Sequence, residues 1–301
     1  MDERQYYEQK AGKGKRKFPL ALLMGLGMIV LVAAIFAIVF FPMFDNSEDK
    51  PFGGAKIKKQ EIWAADGLSL TAEELAASGG DYRPQLAVSL SIKNDTQQDL
   101  RLVCEGLAVN GAAMQSDFTA ELPKGTSTGA LLRLDDRVLY DMGIRTVGSI
   151  RMEFAAYEPA SGKLLYRSGP LTLTTTKAKK ADEPKPPYSM NRFHEQDGIM
   201  LASTSLYPAY TDKSSAVGFY VENNTDRDIA VTPRDTAVDG KAYPKDGSFV
   251  FPAGTRGTFY LELVWDELED VLPMEKLTGS FMVADRETGA PVAEAPFEFR
   301  P

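Results

Sequence analysis

KNDTQQDL at residues 93–100 and ENNTDRDI at residues 222–229 are two versions of one short stretch, and their reading decides the fold. Sliding the chain by 129 positions lays 86–134 on 215–263 without a gap. Asn94, Thr96 and Asp99 then meet Asn223, Thr225 and Asp228, polar residues of the kind that turn the chain between two strands. Working outward, Val109-Asn110-Gly111 meets Val238-Asp239-Gly240, where Asn-Gly or Asp-Gly supplies the positive φ angles of a type I′ hairpin. Pro123-x-Gly125-Thr126 meets Pro252-x-Gly254-Thr255, and Asp66-Gly67 meets Asp197-Gly198. A shift of two more aligns Gly148-Ser149 with Gly279-Ser280, and a shift back aligns Ser161-Gly162 with Thr288-Gly289. Self-similarity of this length predicts tandem domains of one fold, with length changes confined to connections.

Between these landmarks run short apolar or alternating segments, IKKQEIW, GLSL, QLAVSLSI, LRLVC, the 125–134 run, SIRMEFAAY and KLLYRSGPLTLTTT, each suited to a strand. The pattern changes in DDRVLYDMGIRTV, where Val138, Leu139 and Met142 share a helical face. The fold class expected is all-β: two tandem immunoglobulin-like β-sandwich domains, 56–174 and 189–301, each with one short helix. The Lys/Pro-rich stretch 175–188 reads as the linker between them, its lysines serving solubility or an acidic wall polymer.

The order N-D/N-T-x-x-D-L/I, V-x-G, P-x-G-T, then LYDMGI and SIRMEF resembles the repeated Ig-like module of uncharacterised membrane-anchored or lipoprotein surface proteins of Gram-positive bacteria. The resemblance covers most of 56–174 and 189–300 and implies the sandwich fold and an envelope location. It brings no catalytic residue. WDELEDVLPMEKL in the second copy departs from the helix pattern of the first.

Ahead of the repeats, Phe18–Phe44 contains no charged side chain. As a helix rising ~1.5 Å per residue it is long enough for one bilayer crossing. Residues 1–17 carry six basic and three acidic side chains, a net of +3, so the remainder carries −11 of the total −8. The basic flank places the tail in the cytoplasm and the domains outside, with 18–44 an uncleaved signal anchor and 45–55 a linker. The run is too long for a cleaved signal peptide. One cysteine, Cys104, excludes an intramolecular disulfide and reads as a small buried apolar residue.

An acidic outer part argues against a nucleic-acid partner. His194 is the sole histidine and stands without Cys or a second His nearby in sequence, so it reads as a satisfied strand histidine rather than a metal or catalytic group. Ser47-Glu48-Asp49-Lys50 matches S-x-x-K without the further motifs that chemistry needs. The acidic run Asp266, Glu267, Glu269, Asp270 lacks calcium-loop spacing, and the paired sequons at Asn94 and Asn223 read as turn chemistry. No enzyme, cofactor or metal is expected. Trp63, Tyr207, Tyr210 and Trp265 are the candidate partner contacts, because aromatics dominate binding hot spots. The function expected is presentation of two domains for protein or glycan binding at the cell envelope; the alternative is an accessory or sensor subunit acting on another membrane protein.

Overall fold

Alternation is carried through to burial. In Gln85–Asn94 the side chains of Leu86, Val88, Leu90, Ile92 and Asn94 are buried, while Ser91 and Lys93 on the opposite face are exposed. The computed structural model describes residues 51–78, 85–208, 214–264 and 274–301, within a unit running from Lys50 to Pro301. The tail, the apolar run 18–44, residues 45–50, Tyr210, Trp265 and the helix expected within 265–277 lie wholly or largely outside these residues. Among the described residues no helix is long and apolar enough to cross a membrane.

The described part is mostly β, with antiparallel sheets and one short helix. In the first copy β1 (Gln60–Ala65), β2 (Leu68–Ser78), β3 (Gln85–Asn94) and β7 (Thr126–Arg133) form a sheet in the order β1-β2-β3-β7. It packs on β4 (Leu100–Val109), β5 (Ala112–Met114), β8 (Ser149–Tyr157) and β10 (Leu171–Thr174), with β6 (Thr119–Leu122) pairing β4 and β9 (Leu164–Arg167) pairing β8. In the second copy β11 (Asn191–Gln196), β12 (Ile199–Pro208), β13 (Ser214–Asn223) and β17 (Thr255–Val264) face β14 (Ile229–Val238), β15 (Lys241–Ala242), β16 (Phe249–Phe251), β18 (Leu277–Asp285) and β19 (Pro291–Phe299). Each copy is a β-sandwich. The helix α1 (Asp136–Asp141) buries Val138 and Leu139, and Asp135 caps it by accepting from the N–H groups of Arg137 and Val138.

The second core is aromatic. Phe219 stands 4.8 Å from Phe281 and 5.0 Å from Phe297, both edge-on, and stacks on Phe259 at 5.4 Å. Such contacts contribute ~0.5–1.5 kcal/mol each beyond area burial. The first core is mainly aliphatic, built around Leu68, Leu70, Leu90, Ile92, Leu100, Leu102 and Ile150.

The repeated motif has a structural cause. Asn94, fully buried, donates from Nδ2 to the carbonyls of Gln98 (3.0 Å) and Leu122 (2.8 Å), while its Oδ1 accepts from the N–H and hydroxyl of Thr96. Asn223 does the same with Arg227 (2.9 Å), Phe251 (2.8 Å) and Thr225. Asp99 accepts from the N–H of Lys124, and Asp228 from that of Ala253. The two sequons are therefore knots tying the β3–β4 and β13–β14 connections to the opposite sheet. The hairpins follow the type I′ expectation, with φ of 51° and 89° at Asn110-Gly111 and 49° and 82° at Asp239-Gly240.

One alignment is corrected. Asn110 N–H donates to Ser149 O, and Asp239 N–H donates to Lys276 O. Side-chain acceptors agree, since Asn110 Oδ1 takes the N–H of Gly148 and Ser149 where Asp239 Oδ1 takes those of Glu275 and Lys276. Gly148-Ser149 thus corresponds to Glu275-Lys276 and not to Gly279-Ser280. Two identical small residues at 279–280 lie four positions beyond the strand register, which only pairing reveals.

Residues 175–185 of one expected linker and Phe52 of the other pack on the first copy. Asp182 Oδ2 accepts from the N–H groups of Arg145 (2.8 Å) and Thr146 (2.6 Å), Asp182 O accepts from Asn110 Nδ2, and Lys185 N–H donates to Met142 O. Residues 175–185 are consequently strapped along the first copy. Phe52, within the expected linker 45–55, is 5% exposed and its ring lies 6.0 Å from Tyr140.

Asn94→Ala and Asn223→Ala should each cost about 2–4 kcal/mol in urea unfolding, because each strands buried carbonyls and amides. A neutral result at either position would contradict the knot. Burial raises the Cys104 thiol to about 11. The native chain should resist alkylation at about pH 8 and react only on unfolding, read by mass shift.

Candidate functional site

Strand β5 of the first copy pairs in parallel with β17 of the second, Ala112 opposite Arg256 and Ala113 opposite Gly257. Arg256 N–H donates to Gly111 O at 3.1 Å. This pairing joins the second sheet of one sandwich to the first sheet of the next in one ten-stranded sheet. It requires Gly257: a Cβ there would lie 2.1 Å from the carbonyl oxygen of Ala113.

Side chains on the outer face of β12 and β13 complete the junction. Met200, Ala202 and Tyr220 are buried and belong to the first copy's core rather than the second's. Tyr260 donates to Asp141 Oδ2 at 2.6 Å, Arg137 lies 4.9 Å over its ring, and Tyr207 meets it edge-on at 5.5 Å. Burial, reinforced by the bond to Asp141, pushes the Tyr260 hydroxyl far above the ordinary tyrosine range. It is a fixed donor and not an acid.

Across the junction runs an ion cluster. Arg286, its side chain only 11% exposed, binds Glu105 Oε2 at 2.7 Å, Glu153 Oε2 at 2.9 Å and Asp228 Oδ2 at 3.3 Å. Arg167 binds Glu105 Oε2 at 2.9 Å, Tyr157 donates its hydroxyl to Glu105 Oε1, and Arg151 lies 3.5 Å from Asp228 Oδ1. Burial opposes the charge on Arg286, but Glu153 and Glu105 overcome it and raise its pKa. Three guanidiniums face three carboxylates, so charge balances within the cluster. A cleft of about 440 Å³ opens beside it, and its lining residues include no His, Cys, Ser or Thr. The arrangement ties the copies together. A second concavity of about 680 Å³ is lined by Gly54, Lys56 and residues 175–180.

Trp63 lies in the first core at 8% exposure, and Tyr207 at the junction. The structure does not bring these two together; Tyr210, Trp265 and the acidic run 266–270 are outside the described residues. His194 is on β11, beside a bulge between Arg192 and His194, and its buried Nε2 has no hydrogen-bond partner, where a satisfied histidine was expected. Among the described residues no three His, Cys, Asp or Glu side chains converge as a metal site. Glu105, Glu153 and Arg286 escaped the sequence reading because they come together from far apart in the chain. One signal was present: AVGFYV at 216–221 is continuously apolar where its counterpart AVSLSI at 87–92 alternates, the mark of a strand covered on both faces.

No family model matches the chain, and no curated protein matches it. Among solved structures the chain is distantly similar to β-sandwich domains of three proteins at 12% identity each. Bacteroides uniformis β-glucuronidase 2 gives a TM-score of 0.23, covering 78% of this chain and 26% of that one. Red sea bream transglutaminase gives 0.20, covering 79% and 31%. The Salmonella enterica SafA pilin in complex with the SafB chaperone gives 0.18, covering 71% and 89%. The chain thus spans about a quarter to a third of the first two. Likeness of this degree carries no argument about function.

The native chain should unfold in one calorimetric transition and Gly257→Val in two, because a Cβ at 257 breaks the β5–β17 pairing. Arg286→Gln, which leaves three carboxylates to two guanidiniums, should cost about 2–4 kcal/mol. Retention of one transition in the Gly257 variant would show that the copies are coupled by other means.

Proposed function

We propose that the chain is a single-pass membrane protein, anchored by 18–44 with its N-terminus cytoplasmic, that presents two immunoglobulin-like sandwiches outside the cell for protein or glycan binding, without catalysis. The connectivity supports the immunoglobulin-like reading. In each copy four strands, β1-β2-β3-β7 or β11-β12-β13-β17, lie opposite β10-β8-β4-β5 or β19-β18-β14-β15, an arrangement of the two-sheet Greek-key kind. The motif resemblance to Gram-positive surface modules and the basic flank of the apolar run support the location.

The observation that carries the reading is the junction. A shared sheet, a buried tyrosine face and a balanced ion cluster hold two sandwiches in one fixed relation. That suits a rigid presenter of loops and surfaces, since pre-ordered surfaces avoid an ordering cost on binding.

Protease shaving of intact cells, followed by mass spectrometry, tests topology and role together. Peptides from 189–301 should be released while 1–17 stays protected, and envelope crosslinks should fall on 51–301. Protection of the second copy beside an accessible control surface protein would overturn the topology. Partners that depend on 1–44, in capture with the full chain against a chain lacking that segment, would shift the reading to an accessory subunit.

A further inference from the structure

The strap between the copies builds a site as well as a connection. Lys56, ahead of β1, and Lys177, Lys179 and Lys180, beyond β10, line the same concavity of about 680 Å³ although the two stretches are 120 residues apart. Its floor is fixed by hydrogen bonds. Thr176 N–H donates to Lys56 O at 2.8 Å, Lys56 N–H donates to Thr176 Oγ1 at 3.2 Å, and the Thr175 hydroxyl donates to Val147 O at 2.7 Å. Lys180 N–H returns to Lys177 O at 2.8 Å, which turns the three lysine stems around the rim.

None of these four lysines takes part in an ion pair among the described residues, whereas Lys59 pairs with Glu73 and Lys93 with Asp95. Among the described residues the lining contains no acidic side chain. Four uncompensated ammonium groups around one fixed concavity, in a chain of net charge −8, are a local field of sign opposite to the whole. A solubilising spacer has no need of Lys56 joining from the other side of the domain.

We propose that this cleft binds a compact phosphate-bearing anion. Lysine is a compact point charge with three donors that suits phosphate oxygens, while planar carboxylates are better matched by arginine, which the lining lacks. The acidic remainder of the chain repels long polyanions, which restricts the ligand to one contacting the cleft alone. Two sources carry that chemistry, a soluble oligophosphate and the headgroup of an anionic phospholipid. The inference rests on the binding role proposed above and supplies its ligand class; it does not depend on 18–44 crossing a membrane.

Titration of the full chain in neutral detergent with sodium tripolyphosphate, by calorimetry, tests it. The K56Q/K177Q/K179Q/K180Q variant should lose at least about tenfold in affinity, and the native affinity should fall steeply between about 50 and 200 mM salt. A K124Q/K163Q control, changing two exposed lysines elsewhere, should stay within about twofold, with thermal unfolding unchanged in both variants. Displacement of tripolyphosphate by dihexanoyl-phosphatidylglycerol, but not by dihexanoyl-phosphatidylcholine, would assign the lipid source; no displacement by either would assign the soluble one. Absence of binding to the native chain, or equal loss in the control, would overturn the proposal. Envelope partners recovered despite that failure would leave the presenting role standing without this ligand.

Discussion

The parallel pairing of β5 with β17 is the constraint on which the described structure depends. Two residues on each side suffice to make one sheet of two, because Gly257 lets its backbone approach the Ala113 carbonyl at a distance no side-chain-bearing residue tolerates. Once the strands meet, Met200, Ala202 and Tyr220 on the outer face of β12 and β13 are buried, and Tyr220 must be apolar in its ring and satisfied at its hydroxyl. It is both, with the hydroxyl bonded to Glu222 Oε1 at 2.6 Å.

The fold is duplicated but the junction is not. At the positions equivalent to Gly257, Tyr220 and Tyr260, the first copy carries Thr128, Ser91 and Leu131, with Leu131 47% exposed. At the positions equivalent to Glu105 and Glu153 the second copy carries Arg234 and Ser280. The free edge of β7 therefore lacks the glycine that admits a neighbour, and the outer end of the second copy lacks the carboxylates that receive an arginine. Head-to-tail addition of further copies through this surface is disfavoured by the same residues that make it a specific pair.

Charge in the described part is arranged in two opposite ways. At the junction every guanidinium finds carboxylates and the field closes on itself, which secures orientation with little reach beyond the cluster. At the lysine cleft the charges are left open to solvent above a hydrogen-bonded floor. The cleft arises largely from the stretch that reads in sequence as a spacer, the junction cluster largely from strands. Of the aromatic side chains read as candidate contacts, Trp63 lies in the first core and Tyr207 packs against Tyr260 at the junction.

The sequence by itself determined the repeat, the polar knots, the hairpin turns, the short helix and the inward face of most strands. These follow from interactions a few residues apart or from period-two alternation, which a linear reading sees: Asn94 with Thr96, Asn110 with Gly111, Val138 with Met142. Only the tertiary structure decided the register beyond the helix, the docking of 175–185, the shared sheet and the convergence of Lys56 with Lys177–Lys180. Arg286 reaches Glu153 across 133 positions and Glu105 across 181, and nothing in the identity of an arginine says which carboxylate will desolvate it. Local hydrogen bonding and side-chain alternation are properties of the chain, whereas charge pairing and edge pairing belong to surfaces that exist only after both sandwiches have closed.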